Sequence, residues 1–364
     1  MFSTYQEAAS AWDADRRLHE ENGIYLTGVQ AYAFDGVARD YRLAMDAQPT
    51  LVTDPNSGIP ALLTTMIDPQ IIRVVQAPVN ATKVVSEVKK GTWLDQQIMF
   101  PVVEHTGEVS SYGDYATSGM SALNMDFPQR QSYPFQTIKR YGEMELERAG
   151  LAKINMVNEL DMSAANNISR FFNLSYFYGV QGLQNYGLFN DPNLASSLTP
   201  GAKAYGGTTW YSGNVVRATA NEIFLDIESA VASLISQTTG YVDSESKMTL
   251  ALSPLSEAAF ATTNAFNVNV RTLLKGNYPN LRIQTAVQYQ AQTTANPQGL
   301  AAGNFMQVFA DEIDGMQVGF CAFTEKMRAH PIIRFHSSFE QKVSAGTWGF
   351  VLRIPIGVSS MIGI

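Results

Sequence analysis

Cysteine is almost missing from this chain of 364 residues: Cys321 stands alone. No disulfide can form within the chain, and a reducing compartment is the natural expectation for such a sequence. Charge is scarce as well. Asp, Glu, Lys and Arg make up 16% of the residues, against about 25% in ordinary soluble proteins. A surface so poor in charge suits a protein covered by partners, because interface cores are depleted in charge; secreted all-β proteins share the trait. The charge that is present sums to −8, and basic residues cluster no further than the pairs Arg16-Arg17 and Lys89-Lys90. That argues against a tight grip on nucleic acid, which needs many Lys and Arg to displace counterions. Nowhere do eighteen apolar residues run together, so no membrane span is expected. The opening MFSTYQEAASAWDADRR lacks the basic-then-apolar order of a secretion signal. Hydrophobic residues still amount to 45%, enough for a real core in one large domain or two to three ordinary ones.

Patterns that carry chemistry are equally sparse. The four histidines, His19, His105, His330 and His336, show no metal-ligand spacing on a helix, and Pro331 interrupts the last two. There is no GxSxG and no Walker-type phosphate loop. The glycines of YGVQGLQNYG follow a helical stretch, whereas dinucleotide fingerprints follow a strand, so they read as turns. Asp311, Glu312 and Asp314 precede Gly315 and read as an acidic hairpin turn, without the ligand pattern of a calcium loop. The sequence therefore proposes no catalytic, cofactor-binding or metal-binding residue.

What is present is a long bar from Leu151 to Tyr178 without proline or glycine. Ile154, Val157, Ala164, Ile168, Phe171, Phe172 and Ser175 recur at helical spacing, with Asp161 on or near the stripe. The spacing predicts one helix over 151–178, about 40 Å long. Residues 1–50 look helical in patches. Residues 47–60, with three prolines and a glycine, read as extended chain. Residues 67–90 are rich in β-branched residues and read as strands. Gln97–Val109 reads as a strand broken near Pro101. Tyr133, Phe135, Thr137, Lys139 and Tyr141 alternate with Pro134, Gln136, Ile138 and Arg140. These two stretches predict a long two-stranded excursion whose loose tip is SSYGDYATSGMSALN. Such a ribbon is marginal in water and needs another surface to lie on.

Residues 206–324 read as an α/β unit. Thr219 and Glu222 form a capping box opening a helix with Ile223, Ile227, Val231 and Leu234 on one face. Met248–Leu252 reads as a buried strand, Ser253-Pro254 as the start of a helix, and Leu281–Tyr289, Phe305–Phe309 and Met316–Phe323 as further strands. Ile332–Phe339 and Gly346–Pro355 are strand-like, and the chain closes on an apolar IGVSSMIGI. Tyr112, Tyr115, Phe127, Arg130, Tyr133, Phe135, Lys139 and Arg140 combine aromatic anchors with a few basic residues. A groove for single-stranded nucleic acid needs more basic charge, so the set predicts a protein–protein contact. On that reading, serine at both Tyr133 and Phe135 leaves the monomer folded and stops assembly.

The order of parts resembles tailed-bacteriophage major capsid proteins, whose fold is shared with encapsulin shells. The specific likeness lies in Gly182-Leu183-Gln184-Asn185-Tyr186-Gly187-Leu188-Phe189-Asn190-Asp191-Pro192 and in Ala345-Gly346-Thr347-Trp348-Gly349-Phe350-Val351-Leu352-Arg353-Ile354-Pro355. The resemblance implies an α+β fold. It has an N-terminal arm (1–70), an extended β-hairpin loop (95–140), a peripheral domain with a long spine helix (71–94, 141–205 and 325–364) and an α/β axial domain (206–324). It implies a non-enzymatic subunit that forms pentamers and hexamers of an icosahedral head, in the virion, assembled in the host cytoplasm. Such a shell encloses double-stranded DNA without sequence-specific binding, and scaffolding, portal and cement proteins are its possible partners, cement being added in some shells only. An encapsulin-like compartment and a soluble α/β enzyme with a β insertion are the alternatives. Some relatives weld subunits through a lysine in the extended loop. No lysine occurs here from Gly91 to Ile138, so a non-covalent shell is expected by that route.

Overall fold

The computed structural model describes residues 77–364, apart from 153, 214 and 295; the expectations for an N-terminal arm and for strands before residue 77 lie outside them. Ala81–Val84 is one helical turn, and among the described residues of the stretch expected to be β throughout only β1 (Glu87–Lys89) is a strand. Asn173 explains the turn: its side-chain oxygen accepts from the N–H groups of Asn80 and Ala81, both at 3.0 Å. These are among the first donors of a helix, which have no partner within it.

Next come β2 (Gln97–Met99), β3 (Val102–Glu108), β4 (Met120–Asp126), β5 (Gln129–Gln131) and β6 (Tyr133–Gly142). The pairing corrects the expected ribbon. β2 pairs with β5 and β3 with β4, so the return strand begins inside the stretch expected to be a loose tip. β6 does not join the excursion. It pairs over its whole length with Ser338–Thr347 of the main sheet, and its alternation is the period-2 signature of a strand with one covered face.

Helix Glu143–Leu151 follows β6, and the long helix runs Met156–Tyr178. The bar expected over 151–178 is thus broken near its start. Asn155 is the reason: its side chain accepts from the Asn158 N–H at 3.2 Å, making it an N-cap rather than an interior residue. The 23 residues that remain span about 35 Å. Ala164, Ile168, Phe172 and Ser175 are buried as the stripe predicts, with Asn173, Tyr176 and Phe177 added, whereas Ile154 falls outside the helix and is exposed. Asp161 on that stripe binds Lys139 of β6.

Beyond the helix lie β7 (Tyr211–Ser212), β8 (Val215–Val216), helix Ala220–Gln237, β9 (Met248–Leu252), helix Pro254–Ala258, helix Val270–Asn277, β10 (Leu281–Thr285), β11 (Phe305–Ala310), β12 (Glu312–Ile313) and β13 (Met316–Gln317). The capping box is present, and Ile223, Ile227, Val231 and Leu234 are fully buried. β9 is buried at every position. Under the helix, Asp226 accepts from Lys203 Nζ (2.5 Å), Trp210 Nε1 (2.7 Å) and the Gly201 N–H (3.2 Å), tying the irregular chain from residue 201 to the helix. The acidic stretch is a tight hairpin, β12 to β13, turning at Asp314-Gly315.

β14 (Gly319–Ala329), β15 (Ile333–Arg334), β16 (Ser338–Leu352) and β17 (Val358–Ile362) complete the chain. β16 is central in the first sheet: β14 and β15 pair with one edge, β6 with the other, and β1 lies parallel to β14. The second sheet runs β10-β9-β11-β17. Two expected boundaries shift accordingly. Residues 319–324 belong to the long strand of the first sheet. The closing strand leaves that sheet through the turn Pro355–Gly357 and pairs with β11 instead. One continuous core joins Phe172, Tyr176 and Phe177 of the long helix to the Ala220–Gln237 helix and to both sheets.

Candidate assembly interface

The strands of the ribbon β3–β4 pair with each other alone. Its strands are exposed at nearly every position. Opposed residues of an antiparallel pair share a face, so the register assigns the two faces. Val103 lies opposite Met125, His105 opposite Leu123 and Gly107 opposite Ser121 on one; Val102 opposite Asp126, Glu104 opposite Asn124, Thr106 opposite Ala122 and Glu108 opposite Met120 on the other. The first face carries Val103, Leu123 and Met125 and no carboxylate. The second carries Glu104, Glu108 and Asp126 together with the exposed Val102 and Met120, and Asn124 Nδ2 donates to Glu104 Oε2 at 3.2 Å. From Met99 to Gln129 the chain holds four acids and no Lys or Arg. At Gly107 a side chain would press on the backbone of β4, its Cβ only 2.6 Å from the Met120 carbonyl oxygen.

The eight residues expected to form a contact set separate into two groups. Tyr112 and Tyr115 stand at the tip, 93% and 99% exposed, with the Tyr112 hydroxyl donating to Asp114 Oδ1 at 2.9 Å. Phe127 is exposed at the kink between β4 and β5. Arg140 is exposed and pairs with Glu340 at 2.6 Å. The other four are engaged by their own chain. Phe135 packs on Phe171 and Phe172, with centroids at 4.3 and 5.1 Å, and Tyr133 on Phe171 at 5.8 Å. Lys139 is buried on Asp161. Arg130 is 6% exposed, donates to Asp191 Oδ2 at 2.9 Å and lies 4.9 Å over the Tyr186 ring. Aromatic and basic composition alone does not distinguish an anchor for a partner from one for the chain's own helix. Leu123 and Met125 escape the sequence reading because β4 carries no strand signal, and Val103 because its face is defined only by that pairing.

The ribbon's root is held at a junction where the two motifs singled out in the sequence meet. The Gln131 N–H donates to the Gln184 carbonyl (3.0 Å), and the Gln184 N–H to Gln131 Oε1 (3.2 Å). Asn185 Nδ2 donates to the carbonyls of Gln131 and Thr347, each at 3.1 Å. The Phe350 N–H donates to the Tyr186 carbonyl at 2.8 Å. Gly349, at φ +73°, makes the approach possible: a Cβ there would sit 2.3 Å from the Tyr186 carbonyl oxygen. Burial pushes the Asp191 carboxyl up from its ordinary value, opposed by the Asn193 N–H and by Arg130.

The solved structures that resemble this fold are phage-type capsids. The capsid of Myoviridae phage XM1 is 12% identical, with a TM-score of 0.67 over 84% of this chain and 99% of the other. The capsid of a native GTA particle is 8% identical, with a TM-score of 0.58 over 86% and 99%. That of cyanophage P-SCSP1u is 8% identical, with a TM-score of 0.53 over 86% and 96%. No curated protein sequence matches the chain. The family model described as the Pa193 gp26 major capsid protein matches residues 50–363. A match over that much of the chain sets aside the encapsulin-like and enzymatic alternatives. This chain belongs to the Pa193 gp26 major capsid protein family, and is a structural subunit of a bacteriophage head shell.

Proposed function

We propose that copies of this chain associate as pentamers and hexamers in a closed head around double-stranded DNA, and that the β3–β4 ribbon of each copy lies on its neighbour. Assembly takes place in the host cytoplasm, with a portal at one vertex and scaffolding or cement proteins as further partners. The observation that carries the ribbon contact is its amphipathic register. Val103, Leu123 and Met125 are exposed on a face without a carboxylate, while the other face carries Glu104, Glu108 and Asp126 beside the exposed Val102 and Met120. A two-stranded ribbon is marginal in water alone, and covering its apolar face supplies what it lacks. Tyr112, Tyr115 and Phe127 extend the contact at the tip and the kink, and Arg140 at the body. The low charge of the surface suits copies packed edge to edge, and the net charge of −8 suits a wall that does not bind its genome tightly.

The test is Leu123→Asp with Met125→Asp in the full-length chain. Both side chains are exposed, so the subunit keeps its circular dichroism and its Tm to within about 2 °C. Charge on the contact face abolishes closed particles in negative-stain images. Particles in normal number from this variant would sink the ribbon contact.

A further inference from the structure

The ribbon acts as a lever. Its seven-residue strands reach about 25 Å from the root. A change of about 10° in take-off angle therefore moves the tip by about 4 Å, a whole contact distance between apolar side chains. That angle is set where the ribbon leaves the body. There Arg130 is held by Asp191 and stacked on Tyr186, and Asn185 ties Gln131 to Thr347 of the central strand. A buried ion pair is weak evidence for stability; what this one does is fix the Arg130 guanidinium between Asp191 and the Tyr186 ring. Burial pushes the Asp191 carboxyl upward despite Arg130, which again points away from a purely stabilising role.

We propose that Arg130, Asn185 and Asp191 are positioning residues of a joint that sets the ribbon's direction and thereby the curvature at which copies of this chain meet, so that shells close at one size. This rests on the reading that the ribbon lies on a neighbouring copy. The joint acts through the lever.

The experiment uses the full-length chain with Arg130→Met and Asp191→Asn together, which leaves no lone buried charge. In the unassembled subunit, hydrogen exchange at the Gln131 and Gln184 N–H groups rises about tenfold or more, while amides of the Met156–Tyr178 helix keep their protection. In electron micrographs the single shell diameter gives way to open sheets and mixed diameters. Faster exchange with shells of wild-type diameter and number would overturn the proposal, and so would unchanged exchange at both amides. Should the double variant not fold, Gln131→Ala removes only the half-buried side-chain link to Gln184. Faster exchange at the Gln184 amide with mixed shell diameters then supports the joint, and either one without the other overturns it. The Leu123→Asp, Met125→Asp variant separates the two readings. Normal shells from it reject the ribbon contact. Their loss, beside normal shells from the joint variants, rejects the joint alone.

Discussion

Phe135 and Cys321 show how far a single side chain's surroundings decide its role. Phe135 sits on β6 between the central strand and the long helix, 4.3 Å from the Phe171 ring and 5.1 Å from that of Phe172. The aromatic alternation was legible, but the surface it meets is the chain's own. Replacing Tyr133 and Phe135 with serine therefore weakens the subunit itself. Half-burial places the Phe135 contribution near the lower end of large-to-small losses, about 2–3 kcal/mol, seen as a lower urea midpoint of the unassembled chain. An unchanged midpoint with assembly lost would restore the partner-contact reading. Cys321 is completely buried in β14. Burial, then the charge of Glu87, pushes its thiol well above the usual range. Thiolate and access are both needed for reaction, so a disulfide reagent at pH 8 leaves native subunits and shells unmodified over an hour and titrates one thiol in guanidinium. Rapid labelling of the native protein would place β14 at a surface.

At the scale of elements, local signals were legible where the chain makes its own local contacts. The Thr219 capping box is an example: Glu222 Oε2 accepts from the Thr219 N–H at 2.7 Å, and Oε1 from the Ala204 N–H at 2.6 Å. The Thr219 N–H is the main reason the Glu222 carboxyl lies below its ordinary value; partial desolvation opposes it, and the Ala204 N–H, the Thr219 hydroxyl and Lys203 assist. A depressed carboxyl stabilises the fold above the unfolded pKa of about 4.3 and loses that contribution as pH falls through the folded value. Glu222→Ala thus lowers stability by about 1 kcal/mol at pH 7, and its deficit narrows below about pH 4. Urea midpoints at pH 7 and pH 3 check this; a deficit equal at both would show that charge plays no part. Long-range pairing was not legible in the same way. Nothing local in Tyr133–Tyr141 says that its partner is Ser338–Thr347, some 200 residues on, rather than a strand about 30 residues back. Nor does MSALNMD announce a strand, since its ladder with Val102–Glu108 is exposed on both faces and lacks the alternation that burial imposes. The cap at Asn155 was hidden among other asparagines, because capping depends on backbone geometry that composition does not reveal.

For the whole molecule, the layout of helix, ribbon and two sheets was legible from the order of parts, while the crossing of the chain between sheets was not. β11 belongs to one sheet and β14 to the other, and β17 returns to the first of these after β16 has served the second. The described body is therefore laced together, and the ribbon is its one free limb. Whether such limbs could be joined covalently in the shell is a question of available groups. An amide between side chains needs an amine on one partner. The chain from Gly91 to Ile138 has no lysine. The first lysine after it, Lys139, is buried and paired with Asp161 of its own chain. The ribbon can offer carboxylates and carboxamides to a neighbour, but never the attacking nitrogen. Shells boiled in denaturant and run on a gel therefore give one band at the mass of the single chain. A ladder of cross-linked species would have to draw its amine from elsewhere; if peptide mapping placed that amine between residues 91 and 138, the sequence argument would fail at its simplest point. On the proposed ribbon contact, a shell without such cross-links draws its strength from buried area and geometry, and the direction of the ribbon at its root is then part of that geometry.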